Sequence, residues 1–316
     1  MDYNNRIKFI GIGAMKAGTS WLHYNFGKLS QIYSTPIKEI HYFDRSSKYY
    51  SVKHWSTKGF FSRFFNFQWQ VANLSRIGST IKKDKNYKQI GFYLKWYFLN
   101  YTDKWYFSLF KNCPDNCITG EITPAYSMLD TEDIKHMYSI LPNVKIIYLL
   151  RNPIERSLSQ YQYSKQKGLI GSNIDFYTFF NSKEHQKRSK YVETIERYMS
   201  VYPKDQILIC FFDAIKFNPK DLLENILEFI GQDSKNVENL TELNKKILPS
   251  EKVIHPTEVY EFLKKMHYDE IKTLARNFGG YCNDWLNQYY DETSVNNFKN
   301  KSVIKLNEIE FNGKKV

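Results

Sequence analysis

The sequence predicts an α/β fold: a P-loop-like, mostly parallel central sheet flanked by helices, with a helical, aromatic-rich insertion. Three observations predict it. Short apolar, β-branched runs alternate with segments of helical periodicity, the pattern of a parallel sheet covered on both faces. The first run ends in a glycine turn that opens a helix. A later run ends at an arginine followed by a well-capped helix start.

Taken in order, Lys8–Ala14 reads as a buried strand, and Trp21, Leu22, Phe26 and Leu29 recur at helical spacing after it. Residues 46 to 110 or so differ: aromatic clusters such as Phe60-Phe61 and Trp96-Tyr97-Phe98 mix with Lys and Arg, without sheet alternation. They read as an inserted helical segment that either packs its own small core or covers a cleft. Alternation resumes with strands at Cys117–Gly120, Val144–Leu150 and Gln206–Phe212. Helices are expected at Glu132–Leu141, Pro153–Lys167, Glu193–Val201 and Asp221–Ile230, then two more at Pro256–Met266 and Asp269–Phe278. No repeat or low-complexity linker divides the 316 residues, so one domain over 1–316 is expected.

With 42 % apolar and 25 % charged residues, the chain can build an ordinary core, which excludes wholesale disorder. Lys and Arg (45) exceed Asp and Glu (33), a formal charge of +12. That excess fits either an anionic partner or simply a basic, soluble surface. No run approaches the ~20 apolar residues of a membrane span, and residues 1–6 carry no signal-peptide apolar region. A soluble, cytoplasmic protein is expected. Cys113, Cys117, Cys210 and Cys282 match no common zinc spacing, so reduced thiols and no metal are expected. No RNA- or DNA-binding motif is present, and nucleic acid is not expected as a partner.

Two elements carry chemistry. Gly13-Ala-Met-Lys16-Ala17-Gly18-Thr19-Ser20 lies between strand and helix, where backbone N–H groups and a helix N-terminus can hold an anion. It nearly matches GxxxxGK[ST], but Thr19 stands at the lysine position and the lysine is Lys16. A phosphate-bearing donor approached from the side by Lys16 suits this arrangement better than a triphosphate. In Arg151-Asn-Pro-Ile-Glu-Arg-Ser-Leu-Ser159, Asn152 can cap the helix, Pro153 suits its first position and Glu155 lies three beyond the cap. Arg151 then sits at the carboxyl end of a strand, where open α/β sheets bind ligands. It either forks onto a phosphate, with Ser159 adding a hydroxyl, or makes a structural ion pair.

Together these elements resemble the two nucleotide signatures of the sulfotransferase superfamily: Lys16–Trp21 its 5′-phosphosulfate loop, Arg151–Ser159 its 3′-phosphate element. Lys38-Glu-Ile-His-Tyr-Phe-Asp44 and Gly120-Glu-Ile-Thr-Pro-Ala-Tyr126 resemble segments of the heparan sulfate glucosaminyl sulfotransferases and their bacterial relatives. Asp269–Leu274 with Trp285 resembles the last helix of bacterial members. The resemblance implies 3′-phosphoadenosine 5′-phosphosulfate (PAPS) as donor and the desulfated nucleotide (PAP) as product. It implies donor contacts from Lys16, Ala17, Gly18, Thr19, Ser20, Trp21, Arg151 and Ser159, with Lys252 as a shifted counterpart of a C-terminal basic loop. It also implies Glu39 as general base. Ile122 stands where the glycan enzymes usually have lysine, which leaves a carbohydrate or glycolipid acceptor first and a small natural product second.

Sulfuryl transfer needs positioning, neutralisation of the leaving phosphate by Lys16 and a base for the acceptor proton. In an extended segment Glu39 and His41 project to one side, so His41 either assists Glu39 or is a packed histidine bonded to Asp44. The competing readings are a P-loop kinase or NTPase and a non-enzymatic polyanion binder. Against the first stands Arg151 at the end of the strand where a Walker-B acid belongs.

Overall fold

The structure, a computed structural model, describes residues 6–49, 65, 78, 90–171, 173–245, 247, 253–292 and 299–313. Strand β1 (Ile7–Gly13) leads into helix α1 (Thr19–Phe26) and the short β2 (Ile32–Ser34). Helices α2 (Ile90–Phe98) and α3 (Asp103–Ser108) precede β3 (Ile118–Ile122), a 3₁₀ turn at Pro124–Met128 and α4 (Thr131–Ile140). Then come β4 (Lys145–Leu150), α5 (Pro153–Gln166), α6 (Phe176–Phe180), α7 (Lys183–Ser189) and α8 (Tyr191–Met199). The remainder is β5 (Ile207–Phe211), α9 (Phe212–Phe217), α10 (Pro219–Phe229), α11 (Thr257–Phe278), α12 (Gly280–Tyr290) and β6 (Val303–Lys305).

The strands form one sheet in the order β2-β3-β1-β4-β5-β6, parallel except for β6, which runs antiparallel to β5. This is the expected α/β class. Strand β4 is covered on both faces: Ile146 to Leu150 are all at most 1 % exposed. Its unbroken apolar run, rather than an alternating one, follows from that double cover. β1 and β3 approach so closely at Gly120 that a Cβ there would lie 2.2 Å from the Phe9 carbonyl oxygen, which only glycine avoids. Strands β1 and β4 lie side by side and parallel, so their carboxyl ends deliver both suspected phosphate elements to one edge of the sheet.

Some expectations need correction. The two helices expected at Pro256–Met266 and Asp269–Phe278 are one continuous 22-residue helix, α11. His267-Tyr268 between them contains no breaker, and the buried stripe Val259, Leu263, His267, Ile271, Leu274, Phe278 runs through without a phase change. The break falls later, at Gly279 and Gly280, whose φ of 59° and 46° turn the chain, so Trp285 belongs to the separate α12. Strands β2 and β6, three residues each, carry too little pattern to be read. Most of the insertion, residues 50–64, 66–77 and 79–89, lies outside the described residues. Its described part, α2 and α3, packs aromatics on one another and onto the 42–45 segment: Trp96 lies 5.6 Å from Trp105, Tyr42 stacks on Tyr106 at 5.0 Å, and the Arg45 guanidinium lies 3.5 Å from the Tyr101 ring centre. All four cysteines are unpaired and buried. Among the described residues no helix is long and apolar enough to cross a membrane.

Helix α11 is tied to α5 by buried polar groups. Ser157 Oγ donates to the Pro153 carbonyl at 2.7 Å, so it receives the Nε2–H groups of His185 (3.1 Å) and His267 (3.0 Å). The fully buried Arg156 beside them donates to Gln160 at 2.6 Å and Ser189 at 2.5 Å. Burial, then the charge of Arg156, pushes His267 down to about 3, and the same causes lower His185. Each histidine is neutral when folded and titrates near its ordinary 6.5 when unfolded. The unfolded chain therefore binds more protons between those values, and stability falls as pH drops from 6.5 towards 3. Thermal melting across that window should show a decline that is shallower in His267→Gln; an identical slope in the variant would contradict the assignment.

Candidate active site

The turn after β1 is built to leave donors free. Lys16 adopts φ 68° and Gly18 φ 93°, left-handed conformations of the kind in which successive backbone amides can form an anion-binding concavity. The Ala17 amide is used locally, donating to the Ala14 carbonyl at 3.1 Å, and Trp21 and Leu22 donate to the Gly18 carbonyl. The amides of Lys16, Gly18, Thr19 and Ser20 find no acceptor among the described residues. Side chains anchor the turn from below: Ala17, Thr19 and Trp21 are buried, and the Trp21 indole N–H donates to the Leu243 carbonyl at 2.7 Å. Trp21 thus holds the loop in place, with its ring in the core. Lys16 leans over the Tyr163 ring of α5, its ammonium 4.4 Å from the ring centre. Burial, then the nearby Arg151 charge, lowers its pKa.

Arg151 closes the other side. Its guanidinium donates to the Lys16 carbonyl at 3.2 Å and to Glu155 at 3.0 Å, and stacks over Phe212 at 4.5 Å. Its Nε is buried and without a partner among the described residues, a donor that a phosphate oxygen would satisfy. Asn152 caps α5 as expected, accepting from the amides of Ile154 (2.9 Å) and Glu155 (3.4 Å). The Glu155 carboxylate does not reach back to the cap; it turns to Arg151 instead, so the structural ion pair is real and coexists with the free Nε. Ser159 lies on α5, 6 % exposed, its hydroxyl without a hydrogen bond among the described residues. Lys252 lies outside the described residues.

The acid–base segment differs from the expected extended form. Glu39 and His41 both take positive φ, 65° and 54°. With Lys16, they are three of the four described non-glycine residues in that region, which concentrates backbone strain at the expected site. The tight turn still brings the two side chains together: His41 Nε2 lies 3.6 Å from Glu39 Oε2, and His41 Nδ1 is 2.8 Å from Asp44. His41 thus bonds to Asp44 and also faces Glu39. Lys38 donates to Glu39 Oε1 at 2.7 Å and to Ser20 Oγ at 3.4 Å, joining this segment to the amide turn. Burial would raise the Glu39 carboxyl, but hydrogen bonding to His41 and the Lys38 charge outweigh it and hold it at about 2. Burial would discharge His41, but its bonds to Asp44 and Glu39 outweigh it and raise it to about 9, so it is an imidazolium at neutral pH.

Behind this row, Glu121 is buried; it accepts from Thr123 Oγ1 at 2.7 Å and from Tyr126 at 3.1 Å. Burial raises it to about 7 against those bonds. The Tyr126 hydroxyl in turn accepts the Tyr42 amide at 2.8 Å, which fixes the backbone beside His41. Ile122 is buried and, with His23, Lys38 and Glu121, lines a small recess. Sequence reasoning assigned no role to Lys38, although it stands inside the quoted segment, and named Asp44 only as a partner for His41. Tyr163 and Phe212 carried no signal, since their approach depends on tertiary packing. Among the described residues no group of three or more His, Cys, Asp or Glu could hold a metal ion.

A Cβ at Gly18 would fall 2.3 Å from Ile215 Cδ1 and 3.2 Å from Phe212 Cδ2, in a conformation side chains resist. Gly18→Ala should lower the melting free energy by about 1–3 kcal/mol and open the loop; unchanged denaturant unfolding would contradict this packing.

A sulfotransferase-domain family model matches residues 7–258. Among curated proteins, the chain is 26 % identical over 109 residues to a bifunctional heparan sulfate N-deacetylase/N-sulfotransferase of Drosophila melanogaster, covering 30 % of this chain and 10 % of that protein. It is 28 % identical over 142 residues to the Homo sapiens bifunctional heparan sulfate N-deacetylase/N-sulfotransferase 2, covering 40 % and 16 %. It is 29 % identical over 158 residues to the membrane-associated sulfotransferase kil1 of Dictyostelium discoideum, covering 50 % and 23 %. The matched stretches thus span under a quarter of each of these relatives. Among solved structures, a sulfotransferase from Alicyclobacillus acidocaldarius superposes with a TM-score of 0.60 at 18 % identity, over 85 % of this chain and 94 % of that one, which agrees in fold. With four ordered motifs, two of them meeting at one edge of the sheet, and a family match over most of its length, the chain belongs to the sulfotransferase-domain family.

Proposed function

We propose that this protein transfers a sulfuryl group from PAPS to a hydroxyl or amine of an acceptor, releasing PAP. The observation that carries the reading is the set of free amides at Lys16, Gly18, Thr19 and Ser20, tied to Arg151 through the Lys16 carbonyl. Two anion sites held side by side suit a nucleotide with phosphates at both ends. The 5′-phosphosulfate occupies the amide turn and the 3′-phosphate meets Arg151 Nε and the Ser159 hydroxyl.

The acceptor oxygen or nitrogen attacks sulfur in line, the bond from sulfur to the bridging phosphate oxygen breaks, and PAP departs with that electron pair. Lys16 swings from the Tyr163 ring to the bridging oxygen and stabilises its new charge. Glu39 takes the acceptor proton. Without nucleotide it is held at about 2 and so is ionised at neutral pH, ready to accept a proton once bonding to sulfur has made the acceptor acidic. His41, already charged, orients Glu39 rather than acting as base.

The heparan sulfate sulfotransferase relatives support a carbohydrate or glycolipid acceptor. Ile122, apolar beside the recess where a glycan enzyme usually carries lysine, keeps a small hydroxyl or amine compound as the second choice. The family match favours sulfuryl transfer over the kinase and polyanion-binder readings.

Labelled PAPS incubated with a panel of glycans, glycolipids and small metabolites tests the reaction. Lys16→Ala and Glu39→Gln should each reduce transfer by about 10²-fold or more, with Glu39→Gln still binding PAP. Near-full turnover in Glu39→Gln would overturn the base assignment.

A further inference from the structure

Lys38 stands where the donor turn and the acid–base segment meet, and nothing in the proposed chemistry yet uses it. Its ammonium spans Ser20 Oγ on the turn and Glu39 Oε1, 3.4 and 2.7 Å away. The side chain is only 21 % exposed and lines the recess beside Ile122. We propose that Lys38 is a donor-operated clamp: it holds the Glu39 carboxylate while the turn is empty and moves to the sulfuryl oxygens of PAPS when the turn is filled.

The inference rests on the donor reading above. Several charged groups face Glu39. Lys38 and His41 touch it from its own segment, Asp44 acts through His41, and His23 of α1 lies close enough that the Glu39 and Lys38 charges both act on it. Glu121 lines the same recess as Lys38, and the Asp44 charge acts on it. Of the cations, His41 is fixed between two carboxylates and His23 is half-buried and driven towards neutrality, first by desolvation and then by Lys38. Lys38 is the one on a long flexible stem already touching the turn. A sulfuryl group beyond the 5′-phosphate brings negative charge to the Ser20 side of that ammonium. The competing anion draws it from Glu39, and a carboxylate that loses its cation becomes more basic. Base strength is then raised only with donor in place, and in the empty enzyme the ion pair shields the strained Glu39 turn.

The test compares PAPS with PAP, which differ by the sulfuryl group, in calorimetric titrations of the full chain. Wild type should prefer PAPS, and Lys38→Met should lose about tenfold of that preference while PAP affinity stays within about twofold. Lys38→Arg, which keeps the charge, should retain most of it, and this variant controls for folding. In parallel, the Glu39 side-chain carboxyl is followed by carbon NMR, its signal assigned by its absence in Glu39→Gln. It should titrate near 2 in the free enzyme and clearly higher with PAPS bound. Equal losses for PAP and PAPS in Lys38→Met, or a Glu39 titration unmoved by PAPS, would overturn the clamp alone. Failure of wild type to bind either nucleotide would overturn the donor reading, and the clamp with it.

Discussion

The hydrogen bond from the Arg151 guanidinium to the Lys16 carbonyl joins the two halves of this site. It spans 135 positions of sequence, yet needs nothing beyond the sheet. Because β1 and β4 are parallel neighbours, their carboxyl ends emerge together, and the turn after one faces the helix start after the other. The bond uses a carbonyl that the reversed Lys16 backbone leaves exposed, and it holds that backbone in its unfavourable region. Glu155 and Phe212 grip the same guanidinium, so Arg151 is positioned before any anion arrives. Fixing a charged fork in advance removes an ordering cost from binding.

From that bond the site extends as one polar row: Arg151, the amide turn, Ser20, Lys38, Glu39, His41 and Asp44. From Lys38 to Asp44 its charges alternate, so each ionised group there has an opposite partner; at the other end Arg151 and Lys16 are like charges. The row is supported on its far side by Tyr126 and Glu121 from β3 and the turn after it, and by the aromatic packing of α2 and α3 on Tyr42 and Arg45. Helices α7 and α11 brace the arginine-led helix α5 from behind, through His185 and His267 on Ser157. Strain at Lys16, Glu39 and His41 is tolerated because packing and hydrogen bonds on both sides leave the backbone no alternative.

Much of this was legible in the residues, and the reasons differ by element. Strands β1, β4 and β5 were readable because burial on both faces leaves an apolar run, whereas β3, with Thr119, Gly120 and Glu121, showed only its first residues. The amide turn and the Asn152 cap were readable because both depend on local chemistry. Helix α11 was divided wrongly because the polar His267 and Glu270 interrupt its apolar pattern, yet both are buried and bonded to α5 and α8 neighbours. The extended form expected for Glu39 and His41 failed: the segment bonds to itself through Lys38 and Asp44, and the tertiary bond from the Tyr42 amide to Tyr126 holds the turn. Lys38 itself was overlooked because its importance lies in reaching Ser20, a contact no spacing reveals.

The account stands or falls on where the nucleotide lies. A crystal structure of the protein with PAP measures that directly. It should show the 5′-phosphate seated on the amides between Lys16 and Ser20, and the 3′-phosphate within hydrogen-bond reach of Arg151 Nε and the Ser159 hydroxyl. PAP bound at any other surface, or an amide turn that stays empty at saturating nucleotide, would contradict it.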